Sequence, residues 1–287
     1  MTGKVVIVTG GSAGIGYEIA KGLAKRRARV IIASRNEERG VMVAASLAKD
    51  TGNDDVIFKQ LDLASLKSIR NFCQYIVNTE KHLHVLVNNA AGVCLGNQHT
   101  ADGIVKEMQV NYFGTFLLTM LLLPMLKKSQ PSRIVMLSSI AAYLGDFDAA
   151  KINRQKYYSD FKTYANSKFC ELLFCVELTR RMKDTGVVVN AVHPGNIYTN
   201  IANESPLLNR VLFRVLCWLT PRSAMEGAQT PIYLAVAKEM DNVSGKFYSD
   251  CKEMPLPRGA KDVRKANELW NLSRKLVGYK DDEETIS

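Results

Sequence analysis

Residues 5–16 read VVIVTGGSAGIG, a short β-branched run followed at once by a cluster of glycines. Ile15, Ile19 and Leu23 recur at four-residue spacing, which predicts a helix that begins inside this cluster. Glycine is needed where backbone turns tightly and approaches a pyrophosphate, whose charge the free amides and the helix start can meet. The pattern therefore favours nucleotide binding over a merely tight turn. The candidate contacts are Gly10, Ser12, Ala13, Gly14, Ile15 and Gly16.

Short apolar runs of this kind recur along the whole chain, with helix-length stretches between them. They occupy residues 5–8, 30–32, 56–58, 85–87, 134–137, 187–189 and, more weakly, 246–248. Runs without polar alternation fit strands buried on both faces, and strand–helix repetition requires parallel pairing with right-handed crossovers. We predict one α/β domain over residues 1–287, a doubly wound Rossmann fold with about seven parallel strands and helices on both faces.

The composition is that of an ordinary folded protein. The 287 residues are 47% hydrophobic and 23% charged, which excludes a disordered or fibrous chain. The net charge of +10 permits attraction to nucleic acid, anionic lipid or phosphorylated small molecules. Nucleic-acid binding is not predicted, because no recognition motif or aromatic-interleaved basic stretch accompanies the charge.

The cysteine and hydrophobicity patterns indicate an intracellular protein. The six cysteines form no Cys-x-x-Cys pair and no zinc-ligand spacing with His, so we expect reduced thiols and no metal site. The most apolar run, residues 116–126, is far shorter than the ~20 residues of a bilayer span. Strand-like sequence starts almost at residue 1, without room for a signal peptide, so a cytoplasmic location is expected.

The end of the second strand indicates which cofactor is bound. An NAD site usually offers an acidic side chain to the ribose hydroxyl at this point, whereas this chain has Arg35. A guanidinium can pair with a 2′-phosphate through two hydrogen bonds, so we predict a preference for NADP(H). The alternative is a solvated surface arginine that pairs only with Glu37 and Glu38.

Within residues 158–168, two tyrosines precede a lysine by four residues. Tyr164 and Lys168 open a helical run, which puts phenol and ammonium on one helix face. Bringing a phenol pKa from ~10 to ~7 takes roughly 4 kcal/mol, which we expect from Lys168 together with an oxidised nicotinamide ring. Tyr158 and Lys162 share the spacing, but we place this competing pair in the polar irregular stretch before the helix.

With these residues in hand, the chain resembles the short-chain dehydrogenase/reductase family over essentially its whole length, and most closely the retinol dehydrogenase-like branch. The matching motifs are residues 9–16, Asp62-Leu63, Asn88-Asn89-Ala90, Asn111, Ser138-Ser139, residues 164–168 and residues 194–199. Each motif except Asn111 and the tyrosine helix follows a predicted strand, where the family places its cofactor and substrate. The resemblance therefore implies the fold, an NADP(H) cofactor and an oxidoreductase activity.

The resemblance also implies a catalytic tetrad of Asn111, Ser139, Tyr164 and Lys168. Tyr164 would transfer the proton, Ser139 would hold the substrate oxygen, Lys168 would tune Tyr164 and bind ribose, and Asn111 would order a relay water. Ser139 is chosen over Ser138 because the family's serine is normally the later of such a pair. Further cofactor contacts implied are Asp62 and Leu63, Asn89 and Ala90, and Pro194, Gly195, Ile197 and Thr199.

Two features depart from the wider family pattern. The motif Asn-Asn-Ala-Gly reads Asn88-Asn89-Ala90-Ala91-Gly92 here, so that either Ala91 replaces the glycine or one residue is inserted. The 25-residue separation of Ser139 and Tyr164 is roughly twice the common spacing, and the retinol dehydrogenase-like branch carries a similar insertion.

Substrate specificity is expected from residues 144–161 and from the segment after Pro194. Residues 207–219 place apolar side chains at helical spacing with three polar interruptions. They fit ordinary core, a homodimer contact, or a lid over a lipophilic substrate that also touches a membrane peripherally. The resemblance favours a lid over about residues 196–221, because the family places its substrate-binding helix there.

Together these features predict an NADP(H)-dependent enzyme that moves a hydride between nicotinamide and a lipophilic alcohol or carbonyl, such as retinol or retinal. Steroid and farnesol-like isoprenoid substrates are the first alternative. A non-catalytic NADPH sensor is the second, although a pure binder has no chemical use for Tyr164 and Lys168 together.

Overall fold

The computed structural model describes residues 1–195, 197 and 222–280. Thr199, the predicted helix at 207–219 and nearly all of the predicted lid lie outside the described residues. The strands are β1 (Val5–Thr9), β2 (Arg29–Ser34), β3 (Val56–Gln60), β4 (Val85–Asn88), β5 (Ser132–Leu137), β6 (Val187–Val192), β7 (Phe247–Ser249) and β8 (Lys252–Met254). The helices are α1 (Gly14–Ala24), α2 (Glu37–Thr51), α3 (Leu66–Thr79), α4 (Lys106–Met108), α5 (Gly114–Lys128), α6 (Asp160–Arg181), α7 (Ala224–Val236) and α8 (Val263–Val277).

One sheet joins all eight strands in the order β3-β2-β1-β4-β5-β6-β7-β8. Strands β1 to β7 pair in parallel, which confirms the predicted doubly wound α/β fold with seven parallel strands. The chain order reverses between β1 and β4. In such sheets the ligand crevice lies beyond the carboxyl ends of the strands at this reversal.

The eighth strand was not predicted. β8 pairs antiparallel with β7 through a tight turn in which Asp250 and Cys251 both have positive φ, 52° and 57°. Such hairpin turns usually contain glycine or asparagine. Because β8 is three residues long, mostly exposed and partly charged, neither periodicity nor turn composition marks it in the sequence.

Apolar side chains fill both faces of the sheet. On β1, Val6 and Val8 pack into the core with Ile19 and Leu23 of α1, whereas Ile7 belongs to the core on the opposite face. Helices α1 and α7 contact each other on the first side, and α5, α6 and α8 lie together on the second. A strand that is buried on both faces needs apolar residues at every position, as residues 5–8 provide.

Residues 106–128 form one long helical segment through the second core. A π-helical turn, Gln109–Phe113, interrupts it between α4 and α5. By length and hydropathy Lys106–Lys128 could cross a membrane, but 83% of its most apolar window is buried inside the protein. Such burial is typical of the core helix of a globular domain.

Candidate active site

In the turn after β1, backbone atoms of different residues approach each other unusually closely. Gly10 has φ +67° and Gly14 has φ +54°, values that side chains with a Cβ rarely adopt. A Cβ on Gly16 would lie 2.4 Å from the Gly10 carbonyl oxygen and 2.5 Å from Asn89 Nδ2. The glycine spacing in the sequence is therefore required by the fold of the turn itself.

Helix α1 begins at this turn without a cap. Its N-cap residue Ala13 offers no side-chain acceptor, and the first turn contains no acidic residue. The first amides of the helix consequently lack the partners that a capping serine or aspartate would supply. An uncapped helix start beside a glycine turn fits the pyrophosphate of a dinucleotide.

The carboxyl ends of β1 and β4 are tied together by side chains. The Thr9 hydroxyl accepts hydrogen bonds from the backbone amides of Asn89 and Ala90, both at 2.9 Å. Asn89 Nδ2 in turn donates to the Thr9 carbonyl oxygen at 2.7 Å. Asn89 and Ala90 thus lie beside the glycine turn, and Asn89 also holds that turn in place; their contact with the cofactor stays a prediction.

Arg35 and Asp62 lie at the same edge of the sheet, after β2 and β3. Arg35 is exposed, and the neighbouring Ser34 hydroxyl is buried without a hydrogen-bond partner in the described part of the chain. Asp62 accepts a hydrogen bond from the Ala64 amide at 2.9 Å, and Leu63 beside it is buried. An unpartnered hydroxyl next to an exposed guanidinium fits the adenosine end of a phosphorylated dinucleotide.

The two serines after β5 have different surroundings. Ser138 is buried, and its hydroxyl donates to the Lys168 carbonyl oxygen at 2.9 Å. Ser139 is only half-buried, and its hydroxyl accepts from the Ala141 amide at 3.2 Å. Ser139 also hydrogen-bonds towards the Tyr164 phenol, which lowers the pKa of that phenol. The geometry therefore leaves Ser139, rather than Ser138, to meet a substrate.

Tyr164 and Lys168 lie one turn apart on α6, with Lys168 Nζ 5.8 Å from the centre of the Tyr164 ring. The helix begins at Asp160, earlier than predicted, because Ser159 caps it by accepting from the Lys162 amide. Lys168 Nζ donates to the Leu137 carbonyl oxygen and to Glu171 Oε1, both at 2.9 Å. The ammonium is therefore buried but already paired.

Burial raises the pKa of Tyr164 well above its usual range in the protein without cofactor, and the hydrogen bond from Ser139 only partly offsets this. The nearby carboxyl groups of Glu171 and Glu107 raise the pKa further. The expected lowering, by Lys168 together with an oxidised nicotinamide ring, stays a prediction.

Asn111 lies in the π-helical turn and is completely buried. Its side chain accepts from the Gly92 amide and donates to the Gly92 carbonyl oxygen, both at 2.9 Å. It also donates to the Ser167 hydroxyl at 3.1 Å, on the helix that carries Tyr164. With both amide protons used, a water could bind only an Asn111 oxygen.

The loop after β4 accommodates the departure from the family motif. Ala91 has no positive φ, so alanine fits there without backbone strain. The clamp from Asn111 is made to Gly92, one residue later.

The start of α6 separates Tyr158 from Lys162, the second tyrosine–lysine pair with this spacing. Tyr158 precedes the Ser159 cap, whereas Lys162 lies on the first turn of α6, where its Nζ donates to the Leu144 carbonyl oxygen at 2.6 Å. The prediction that both residues precede the helix is wrong for Lys162. Tyr158 lines a polar cavity of about 540 Å³ with Asn97 and Asp160, away from Lys168.

The segment after β6 is described only at its start. Pro194 and Gly195 follow the strand, and Gly195 has φ +97°. Ile197 is buried, forms a β-bridge with Arg222, and packs so closely on Gly227 that a Cβ there would lie 1.9 Å from its Cδ1. These three predicted contacts lie beside the end of β6, next to β5 in the sheet.

Two buried carboxylates at the site were not predicted. Glu107 accepts from the Cys94 amide at 2.9 Å, and burial raises its pKa to about 8. Burial likewise raises the pKa of Glu171 to about 7, although Lys168 opposes this. Only one sequence signal existed, the three-residue spacing of Lys168 and Glu171 on a helix. Glu107 is brought to the site by the fold of the loop after β4.

Comparison with known proteins agrees with this geometry. Residues 4–207 match the family model described as short chain dehydrogenase. Retinol dehydrogenase 12 of Mus musculus is 42% identical over 276 residues, which cover 96% of this chain and 87% of that protein. Retinol dehydrogenase 11 of Homo sapiens is 40% identical over 281 residues, covering 97% and 87%.

Solved structures show the same architecture. An uncharacterized protein from Mycobacterium paratuberculosis superposes with a TM-score of 0.78 at 30% identity, covering 96% of this chain and 94% of that chain. An actinorhodin polyketide ketoreductase variant solved with NADPH superposes with a TM-score of 0.69 at 23% identity, covering 88% and 98%, which supports the fold alone. The chain belongs to the short chain dehydrogenase family of oxidoreductases, in its retinol dehydrogenase-like branch.

Proposed function

We propose that the protein is an NADP(H)-dependent oxidoreductase that transfers a hydride between nicotinamide and a lipophilic alcohol or carbonyl, with retinol and retinal first among its substrates. The observation that carries this proposal is the convergence of Ser139, Tyr164 and Lys168 at the end of β5. Strands β1, β4 and β5 are neighbours, so this convergence lies beside the uncapped start of α1.

Each of these side chains has a distinct role in the proposal. Ser139 holds the substrate oxygen, and Tyr164 gives it a proton during carbonyl reduction or takes one during alcohol oxidation. Lys168 binds the cofactor ribose with an ammonium that is held in place by two hydrogen bonds. The buried Asn111 fixes the loop at Gly92 and offers an oxygen to a relay water. The bound cofactor supplies or accepts the hydride.

NADP(H) is proposed over NAD(H) from the arginine at the adenosine end. Arg35 is exposed directly after β2, and Arg39 lies on the first turn of α2. The Asn36 side chain caps α2 by accepting from the Arg39 amide at 2.8 Å, so the two arginines flank a helix start. Glu37 and Glu38 lie on the same first turn and balance the charge of the two arginines, so the proposal rests on the guanidinium geometry of Arg35, which can pair with a 2′-phosphate through two hydrogen bonds.

A lipophilic substrate is proposed from the side chains between Ser139 and Tyr164. Five of the nine exposed large hydrophobic residues in the described part of the chain lie there: Ile140, Tyr143, Leu144, Tyr157 and Phe161. Exposed apolar side chains that cluster beside a candidate site favour a hydrophobic ligand. The names of the retinol dehydrogenase relatives agree with such a substrate.

The remaining predictions concern the location of the protein, its assembly and its domain organisation. The cytoplasmic location, the peripheral membrane contact through residues 207–219, the lid and the homodimer stay predictions. The one-domain organisation over residues 1–287 is likewise proposed, because one sheet unites strands from both ends of the described chain.

The test is NADPH oxidation with retinal, farnesal and a ketosteroid, repeated with NADH and with Tyr164→Phe. We expect turnover that favours NADPH and that falls by roughly 10² to 10⁴ in Tyr164→Phe. Farnesal or the ketosteroid as the best substrate would replace retinal while leaving the chemistry intact. Tight NADPH binding without Tyr164-dependent turnover on any of the three would favour the NADPH sensor instead.

A further inference from the structure

The catalytic lysine is held by a carboxylate that the proposed chemistry does not use. Glu171 Oε1 accepts from Lys168 Nζ at 2.9 Å, and the two side chains are only 4% and 2% exposed. The second oxygen, Glu171 Oε2, is buried and has no hydrogen-bond partner in the described part of the chain. A buried ion pair with an unsatisfied oxygen is costly for stability. Stability therefore does not explain why this ion pair lies at the site.

Titratable and polar groups face Glu171 from several elements. Lys168, Cys170 and Tyr164 lie on the same helix, Ser138 comes from the end of β5, and Tyr112 comes from the π-helical turn. Among them only Lys168 is cationic, and it lowers the pKa of Glu171 against the effect of burial. Burial is the larger influence on the charge of Glu171, and Lys168 is the cation that opposes it.

A second carboxylate approaches Tyr164 from another element. Glu107 on α4 is completely buried and anchors the loop after β4 through the Cys94 amide. It is influenced by Lys168 and by Asp160 at the start of α6. Two buried carboxyl groups, from α4 and α6, therefore influence Tyr164, and the ammonium of Lys168 one turn away is paired with one of them.

We propose that Glu171 is a positioning residue that holds the Lys168 ammonium and offsets its charge beside the phenol, so that the basic form of Tyr164 needed for alcohol oxidation forms only at higher pH than Lys168 alone would allow. The inference rests on the proposed function for its consequence in catalysis. When Glu171 is ionised, its pair with Lys168 leaves almost no net charge beside the phenol, whereas Lys168 alone would favour the phenolate. Glu171 would also fix the direction in which the ammonium points, since it and the Leu137 carbonyl oxygen hold Nζ from two sides.

The direct test is a pH titration of Tyr164 in the cofactor-free protein. The titration is monitored by NMR, with tyrosine labelled with ¹³C at the ζ carbon. Tyr164→Phe assigns the resonance. In Glu171→Gln we expect Tyr164 to ionise about one pH unit or more below wild type, because an uncompensated cation now lies nearby. A purely structural role for Glu171 would not move this resonance.

The matched control is Glu177→Gln. Glu177 lies on the same helix and is also buried, but its carboxylate pairs with Arg180 and Arg181, both at 2.7 Å. This control removes a buried carboxylate from α6 without touching Lys168, and Tyr164 should titrate as in wild type. Glu171→Asn, a shorter uncharged side chain, provides a second variant should glutamine disturb the packing, and thermal unfolding checks each variant for folding.

A second measurement reads the consequence in catalysis. With an alcohol substrate, the acidic limb of the pH–rate profile should move to lower pH in Glu171→Gln and stay in place in Glu177→Gln. A shifted titration in a protein that turns over no alcohol or carbonyl would refute the proposed function and support the link between Glu171 and Tyr164. An unchanged titration and pH profile in a folded, active Glu171 variant would overturn the inference.

Discussion

The nucleotide end and the catalytic end of this crevice are built by different means. At the nucleotide end, the turn after β1 depends on backbone: glycines with positive φ, a missing Cβ at Gly16 and an uncapped helix start. At the catalytic end, the site depends on buried charged side chains, with Lys168, Glu171 and Glu107 all nearly inaccessible to water. Backbone shape can be recognised from local spacing, whereas a buried charge depends on its whole surroundings.

This difference has energetic consequences. A glycine turn is sensitive to volume and insensitive to pH, because it contains no titratable group. A buried carboxylate tolerates an amide of the same shape but responds to pH, because ionisation in a poorly solvated site is costly. The following variants separate these two kinds of sensitivity.

Glu107→Gln should flatten the dependence of stability on pH. The pKa of Glu107 is raised from 4.5 to about 8 in the folded protein, so folding binds a proton between these values and stability is lost as pH rises through them. Between pH 5 and pH 8, the free energy of unfolding of wild type should fall by roughly 3 kcal/mol more than that of Glu107→Gln. Urea unfolding at each pH measures this difference.

Glu177→Gln should show the opposite sign. Burial pushes the pKa of Glu177 upward, but hydrogen bonds from Arg180 and Arg181 outweigh it and hold the pKa below its usual value. Its stabilising effect is therefore present above the pKa of the unfolded chain and lost on acidification, so Glu177→Gln should be less stable than wild type only at neutral pH.

The prediction for Glu107 has its own contradicting outcome. Parallel pH curves of unfolding free energy for wild type and Glu107→Gln would show that Glu107 stays ionised throughout.

Gly16→Ala should weaken cofactor binding at every pH. The added methyl group would lie 2.4 Å from the Gly10 carbonyl oxygen, and backbone must move to relieve the contact. Overpacking of about 2 kcal/mol would weaken NADPH binding roughly 30-fold in a fluorescence titration. Gly52→Ala is the control, because its φ of +60° is also strained but no atom lies within 4 Å of the added Cβ. Equal NADPH affinity in wild type and Gly16→Ala would contradict the close approach.

Arg35→Asp should lower the preference for NADPH over NADH by roughly tenfold, as expected for loss of a charged hydrogen bond of about 1.5 kcal/mol. The ratio of dissociation constants for the two cofactors measures the effect. Arg26→Asp makes the same charge change beyond the C-terminal end of α1, where Arg26 donates to the Gly22 carbonyl oxygen. If both variants change the ratio equally, the preference arises from net charge and not from Arg35.

Most of the fold could be predicted from the sequence because its strands are buried on both faces. Residues 5–8 and 134–137 are continuously apolar, and such runs identify central parallel strands without reference to the rest of the chain. β8 had no such signal, since Lys252 and Glu253 at the sheet edge are exposed. The π-helical turn was missed because its residues, 109–113, read as continuous helix.

The catalytic end was predicted only in part, for a physical reason. Tyr164 and Lys168 share one helix, so their relation follows from helical spacing. The state of the phenol depends on burial and on Glu107, which lies 57 positions away in the sequence and approaches through tertiary packing. A sequence records the charges that are present but not their solvation, so the burial of the Tyr164 phenol could not be predicted from helical spacing.

The decisive measurement compares Tyr164→Phe with Tyr158→Phe for NADPH binding and for turnover of the best carbonyl substrate. The two variants remove the same hydroxyl from the two tyrosines within residues 158–168 that precede a lysine by four residues. We predict that both bind NADPH within a few-fold of wild type, and that only Tyr164→Phe loses roughly 10² to 10⁴ in kcat. Wild-type turnover in Tyr164→Phe, or a loss confined to Tyr158→Phe, would contradict the assignment of Tyr164 as the proton donor.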